Sequence, residues 1–136
     1  MTMLGGRLIQ EHQALDTLFE EIANRVHCGD TAALDESWTA LEARLLAHFD
    51  YEESHLLPRF ESIDPAEALR IREEHKLVRR ALQETGVAIE LHTVREQNVE
   101  EFLTLLRAHA AREEKLLYPW SSTADAAMHA PSTVER

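Results

Sequence analysis

The fold is predicted chiefly from two similar stretches of the sequence, HFDYEESHLLP at 48–58 and HAAREEKLLYP at 109–119. They align without a gap, and each begins with His, has Glu at the fourth and fifth steps after it, and ends in Pro. Upstream of them, EHQAL at 11–15 resembles EHKLV at 74–78. The chain is therefore interpreted as a duplicated helical hairpin, in which each copy supplies two helices.

In four segments of the chain, the residues expected to face the core recur at steps of three and four positions. Each such series is called a seam. The seams run over 8–26, 34–55, 68–92 and 99–120. This spacing is typical of helices that bury one narrow stripe, and no segment shows the sustained alternation of a β-strand. The sequence therefore predicts four amphipathic helices.

Turn signals separate the four seams. Gly29-Asp30 follows the first seam, Asp64-Pro65 offers a cap and a first-turn proline, and Thr93–Glu96 has the form of a capping box. Pro58 and Pro119 are expected near the ends of the second and fourth helices. Short connections favour antiparallel neighbours, so we predict an all-α, up-down-up-down antiparallel four-helix bundle.

Six ionisable residues occupy seam positions where an apolar residue belongs. They are His12, His48, Glu52, His75, His109 and Glu113. In an antiparallel hairpin, two residues at equal depth have their midpoint at the turn. The midpoints between successive members of this set, taking each His/Glu pair at its centre, fall at 31, between 62 and 63, and at 93, close to the predicted turns. We therefore expect the six side chains to converge in one layer.

The composition of this layer indicates metal binding. A buried carboxylate is costly unless it is paired or binds a cation. Side chains four residues apart on a helix share a face, which suits a His and a Glu that bind the same metal pair. Imidazole with carboxylate fits iron, manganese or zinc. Six such groups are more ligands than a closed structural zinc site uses. Two metals bridged by carboxylates are favoured, and a metal-free hydrogen-bonded network is the alternative.

The bulk composition narrows the possible partners. The chain has 136 residues, 44% of them hydrophobic and 29% charged, which suits one soluble domain. A net charge of −11 disfavours binding to nucleic acids and to anionic membranes. Cys28 is the single cysteine, and the first residues lack the apolar run of a signal peptide. We predict a cytoplasmic protein with its bundle at 1–120 and a disordered tail at 121–136; the oligomeric state stays open.

The order His12, His48-x-x-x-Glu52, His75, His109-x-x-x-Glu113 resembles the hemerythrin-like, or HHE cation-binding, domain. The resemblance covers nearly all of residues 1–120. It implies a four-helix bundle with a non-haem di-iron site, in which manganese or zinc are possible substitutes. It further implies that Glu52 and Glu113 bridge the irons and that the four histidines are terminal ligands.

The sequence departs from this family at one ligand position. Oxygen-carrying hemerythrins have five histidines, including an HxxxH pair on the third helix, whereas Ile71 lies one turn before His75 here. His55 is a candidate replacement, because it lies on the second seam and the midpoint of 55 and 71 is 63, at the predicted turn. The alternative for His55 is a core histidine hydrogen-bonded to a neighbour. Glu114 also stays open as the bridging group in place of Glu113.

Several functions fit such a centre. The first interpretation is a binding protein that takes up O2, nitric oxide or peroxide, within an apolar shell of Leu45, Phe49, Val78, Leu82, Leu106 and Leu116. The second is an enzyme with peroxidase-like or catalase-like turnover, although no dedicated general base stands out. The third is iron storage, which in ferritin-like bundles uses Glu-x-x-His on two helices; only Glu52-x-x-His55 matches that pattern. The fourth is a sensing module.

Overall fold

A computed structural model of the protein describes residues 4–121, which form four long helices. The first long helix is α1 (Leu4–Cys28). The third long helix is labelled α4 (Pro65–Glu90), because the second one contains two α-helical segments. The second comprises α2 (Thr31–Tyr51), a π-helical segment (Glu52–Leu56) and α3 (Leu57–Glu61). The fourth comprises α5 (Glu96–Arg112), a second π-helical segment (Glu113–Leu117) and a last helical stretch at 118–121.

The four helices pack side by side around one interior. Helix α1 contacts α2 and α5, and α4 contacts the same two helices. Each helix therefore lies beside its neighbours along the chain, and the first and last helices close the ring. The predicted all-α, up-down-up-down four-helix bundle is confirmed, and no strand occurs within residues 4–121.

The first two turns are made by the residues that the sequence indicated. Gly29 has φ 72°, a left-handed conformation that glycine adopts without a steric penalty, and it ends α1. The Asp30 side chain then caps α2 by accepting a hydrogen bond from the Ala33 N–H at 3.2 Å. Asp64 caps α4 by accepting from the Glu67 N–H at 3.2 Å, and Pro65 occupies the first turn.

The third turn differs from the predicted capping box. Helix α5 begins after Arg95 rather than after Thr93. The Thr93 hydroxyl instead donates to the Ala88 carbonyl at 3.3 Å, and the Thr93 N–H donates to the same carbonyl, near the end of α4, at 2.8 Å. The Arg95 N–H donates to the Asn98 side chain at 2.8 Å. In a capping box the N–H of the cap residue donates to the side chain three residues on, so this bond of the predicted box is present two residues later in the chain.

The apolar core is divided into two clusters by a polar layer. Along α1, Leu8 belongs to the smaller cluster, His12 follows one turn later, and Leu15 belongs to the larger cluster. Along α4, Ile71 and Val78 flank His75 in the same order. Each fully buried Leu, Ile or Phe stabilises the fold by roughly 1.5–3 kcal/mol. The two clusters therefore supply the free energy that holds a costly polar layer inside the bundle.

The two π-helical segments change which residues face the core. A π-turn accommodates one extra residue and so rotates the residues that follow it. The predicted second seam continued to His55, but the structure buries Leu56 and Leu57 there. The predicted fourth seam continued through Leu116, which is 37% exposed, whereas Leu117 and Tyr118 are buried. Pro58 lies near the end of its helix, as expected, because α3 ends at Glu61; the fourth helix continues past Pro119 to Ser121, the last described residue.

The predicted tail at 121–136 falls, apart from its first residue, outside the described residues. Ser121 is helical and buried, and its hydroxyl donates to the Tyr118 carbonyl at 2.9 Å. Among residues 4–121, none of the helices combines the length and the apolar character that crossing a membrane requires.

Candidate metal centre

The polar layer contains the six side chains that the sequence placed at one depth. They come from all four helices: His12 from α1, His48 and Glu52 from the second helix, His75 from α4, and His109 and Glu113 from the fourth. Glu52, Glu113 and His75 are 0% exposed, and the most exposed member, His12, is only 9% exposed. The expected convergence of the six side chains is therefore present in the structure.

The six side chains form two groups that share both glutamates. One group contains His12, His48, Glu52 and Glu113, and the other contains Glu52, His75, His109 and Glu113. Within each group, one nitrogen or oxygen atom of every residue lies within 4.8 Å of the others. Each group could hold one metal ion, so the layer has the donors for a pair.

Each carboxylate presents one oxygen to each group. Oε2 of Glu52 lies 2.9 Å from Nε2 of His48, while its Oε1 lies 3.1 Å from Nε2 of His75. Oε1 of Glu113 lies 3.2 Å from Nε2 of His12, while its Oε2 lies 2.9 Å from Nε2 of His109. This is the arrangement that a carboxylate needs in order to bridge two cations.

His55 does not join these groups. Its side chain is exposed on the outside of the bundle, where its ring lies 4.9 Å from that of Tyr51. The expectation that it faces Ile71 assumed a regular α-helix after Glu52. The π-helical segment Glu52–Leu56 changes that register and brings Leu56 and Leu57 to the interior instead.

A second set of carboxylates contacts the histidines from outside the layer. Nδ1 of His75 lies 2.7 Å from Glu53, Nδ1 of His109 lies 2.8 Å from Glu74, and Nδ1 of His12 lies 3.0 Å from Glu114. A carboxylate on one ring nitrogen fixes the tautomer and the ring orientation, and it makes the other nitrogen a better ligand. Three of the four rings are therefore oriented with Nε2 towards the centre.

The sequence analysis did not identify these outer carboxylates as partners of the histidines. A signal was present, because both repeats have a second glutamate directly after the first, at Glu53 and Glu114. In both halves the first glutamate turns inward and the second binds a histidine of a neighbouring helix. Glu114 thus lies outside the shared pair, and Glu113 is the buried one.

Two arginines fix the outer carboxylates in turn. Nη1 of Arg79 lies 2.6 Å from Glu53, and Nε of Arg112 lies 2.7 Å from Glu74. Both arginines are about a third exposed, so these ion pairs contribute little to stability by themselves. Their effect is to hold Glu53 and Glu74 against the His75 and His109 rings.

The protonation of the layer follows from its charges. Burial alone would lower the pKa of His75, but its contacts with Glu113 and Glu52 outweigh burial and raise the pKa to about 10. Burial would raise the pKa of Glu113, but His109, His12 and His75 hold it well below its ordinary value. In the absence of a cation, protonated imidazole therefore balances the buried carboxylates.

Tyr118 is a further member of the layer that the sequence analysis did not single out. It is 1% exposed, and its hydroxyl lies among His12, His48, Glu52 and Glu113. Burial and the two carboxylates raise its pKa well above the ordinary value, so without a cation the phenol keeps its proton and donates to Glu52. No sequence signal marked it, because the π-helical segment Glu113–Leu117 that turns it inward was not predictable from the spacing of the seam.

The donor set fits a cation. Among residues 4–121, Oε1 of Glu52 and Nε2 of His109 are buried without a hydrogen-bond partner, although each lies near another polar atom. Such orphaned atoms are costly in a protein interior, and a metal ion would satisfy both. Imidazole nitrogens with carboxylate oxygens suit divalent iron, manganese or zinc.

A small cavity of about 30 Å³ borders this centre. Three of the layer's histidines contribute to its wall, together with apolar side chains of the larger core cluster. Its main lining residues are His12, His48, His109, Leu15, Phe19, Leu45, Phe49 and Leu106. The cavity has room for a water or a diatomic molecule beside the centre.

Comparison with known proteins agrees with this arrangement. A search of curated proteins and a search of solved structures each gave no match. The family model described as the hemerythrin HHE cation binding domain matches residues 6–121, which include both halves of the repeat and every side chain of the polar layer. The chain therefore belongs to the hemerythrin HHE cation-binding domain family.

Proposed function

We propose that this protein binds two iron ions in the polar layer and takes up a small ligand, O2, nitric oxide or peroxide, at that pair. The observation that carries the proposal is the orientation of Glu52 and Glu113, each of which presents one oxygen to either pair of histidines. In a site for a single ion, one oxygen of each carboxylate would stay buried without a cation, which is costly.

Iron is the metal that the donors and the proposed ligands favour together. Four imidazoles and two carboxylates are of intermediate hardness and accept iron, manganese or zinc. When bound, an iron pair supplies the electrons that a ligand such as O2 or nitric oxide requires. Zinc has no redox chemistry and cannot supply them. Zinc therefore stays a possible substitute in the site and a poor candidate for the proposed activity, and manganese stays a possible substitute.

The chain's own residues then control access to the pair. The neighbouring cavity is too small for an organic substrate and is walled by Leu15, Leu45 and Leu106. Asp16 and Arg107, its two charged lining residues, form an ion pair with each other at 2.8 Å. A pocket of this size favours a diatomic ligand over an organic substrate.

The structure weakens one of the alternative functions, iron storage, and leaves peroxide turnover and sensing open. Iron storage depended on Glu52-x-x-His55, and exposure of His55 removes this match. Peroxidase-like or catalase-like turnover remains the alternative that the experiment below separates, and sensing stays a further alternative. The cytoplasmic location and the absence of nucleic-acid partners stay predictions from composition.

Iron content and ligand kinetics test the proposal together. Protein loaded anaerobically with ferrous iron should contain two irons per chain and develop a stable absorption band with O2 that disappears on evacuation. Rapid consumption of added peroxide without a stable band would instead support the enzyme. One iron per chain, or none, would overturn the proposed pair.

A further inference from the structure

The oxygen of Tyr118 lies among the donors that would bind one cation of the pair. It is 2.6 Å from Nε2 of His12, 3.0 Å from Nε2 of His48 and 3.0 Å from Oε1 of Glu113, and it also contacts Oε2 of Glu52. These residues are the four members of one metal-binding group. The phenolic oxygen therefore touches every donor of that group.

Hydrogen bonding alone does not satisfy this arrangement. A phenol has one proton to donate and accepts at most two hydrogen bonds, so at least one of its four polar neighbours is left without a bond to it. With the phenolic proton donated to Glu52, Oε1 of Glu113 faces the phenolic oxygen at 3.0 Å with no proton between them, which is an unfavourable contact in a buried site. A cation near this point would satisfy all of the neighbours and the phenolic oxygen together.

The ring cannot easily move away from the cation. Tyr118 belongs to the smaller core cluster and packs with residues such as Leu8, Leu57 and Ile71. The helical register after Glu113 directs it inward, and it is 1% exposed. Withdrawing the ring would open a cavity in this cluster, which costs several kcal/mol for an aromatic side chain. Its oxygen is therefore retained within reach of a cation bound by His12 and His48.

Comparison of the two halves of the repeat shows that only the group with His12 and His48 has such a phenolic oxygen beside it. Gapless alignment of the halves pairs Glu113 with Glu52 and Tyr118 with Leu57. Leu57 is also fully buried directly after a π-helical segment. It has no donor atom, so the repeat offers no equivalent oxygen to His75 and His109.

We propose that Tyr118 is a protein ligand of the ion bound by His12 and His48, and that the two ions of the pair have unequal donor sets. This inference rests on the proposed metal pair. Tyr118 would coordinate as phenolate, and its proton would be released to solvent as the metal is loaded. The ion bound by His75 and His109 would have one protein donor fewer.

The chain offers a matched control, because it has only two tyrosines, Tyr51 and Tyr118. Tyr51 is 38% exposed and packs beside His55. A phenolate bound to ferric iron gives a visible charge-transfer band, and excitation into that band enhances phenolate vibrations in the Raman spectrum. Ring-deuterated tyrosine shifts these vibrations and so identifies their source.

The experiment compares ferric wild-type protein, Tyr118→Phe and Tyr51→Phe, each with its iron content measured. We expect phenolate lines in the wild type and in Tyr51→Phe, and their loss in Tyr118→Phe with two irons retained. Lines that persist in Tyr118→Phe would overturn the assignment. Wild-type protein with two irons and no phenolate lines would overturn it while leaving the metal pair intact, even if the variant failed to fold. Wild-type protein without iron would overturn both.

Discussion

Nδ1 of His75 lies 2.7 Å from Oε2 of Glu53, while Nε2 of the same ring lies 3.1 Å from Glu52 and 3.0 Å from Glu113. Glu52 and Glu53 are adjacent in sequence, yet one is fully buried and the other is half-buried beside Arg79. The two neighbouring glutamates thus bind opposite nitrogens of one imidazole. Glu53 orients the ring, and Glu52 shares the centre with it.

Removal of Glu53 should weaken metal binding without removing a donor of the centre. We expect Glu53→Ala to lower metal affinity by roughly 10–100-fold, because the His75 ring loses its orienting partner. Glu53→Gln, which can still accept from Nδ1–H, should have a smaller effect. Competition with a chelator of known affinity measures both. The control is Glu36→Ala, an exposed glutamate on α2; equal affinities of Glu53→Ala and wild type would refute the orienting role.

Removal of His55 should leave the metal centre unchanged. Its side chain is exposed beside Tyr51 rather than within the polar layer. We expect His55→Ala to retain two irons per chain and an unchanged absorption spectrum, whereas His48→Ala should lose iron because a central donor is removed. A lower iron content in His55→Ala would show that the ring turns inward when metal is bound.

The metal-free protein should lose stability as the pH rises from neutral to alkaline. The pKa of His75 is about 10 in the fold against 6.5 ordinarily, so the protonated ring stabilises the fold fully below about pH 6.5. That stabilisation is lost as the pH rises towards 10. Denaturant unfolding of chelator-treated protein at several pH values between these limits measures the decline. His75→Gln should show a smaller decline, and a flat wild-type profile would contradict the assigned charge.

Filling the cavity should slow ligand uptake while metal binding is retained. Leu15 lines the cavity but does not contact metal in the proposed site. We expect Leu15→Phe to retain two irons, to lose roughly 1–3 kcal/mol of unfolding free energy from overpacking, and to bind O2 more slowly. Leu8→Phe, in the smaller cluster, is the control for overpacking alone. Equal uptake rates in the two variants would argue against entry through this cavity.

The depth of the polar layer could be predicted because helices advance by a fixed distance per residue. Asp30 and Asp64 mark two turns through their side-chain chemistry, and equal spacing from those turns placed His12, His48 and His75 together. The fold and the six central side chains follow from such local signals. The third cap moved from Thr93 to Arg95, yet the layer kept its depth because helix length, not the capping residue, sets it.

The register after each central glutamate could not be predicted in the same way. π-Turns are rare single-turn departures from an α-helix, and the three-and-four spacing of a seam does not indicate where one occurs. The seam rule therefore assigned His55 and Leu116 to the core, where Leu57 and Tyr118 are found. The error removed one expected ligand and concealed another candidate, Tyr118, at the same depth.

An anomalous-difference map from a crystal of iron-loaded protein would show whether the polar layer holds a pair of ions. We expect two peaks about 3.5–4 Å apart, with Glu52 and Glu113 each contacting both, His12 and His48 on one peak and His75 and His109 on the other. A single peak in the polar layer, or iron bound elsewhere on the bundle, would contradict it.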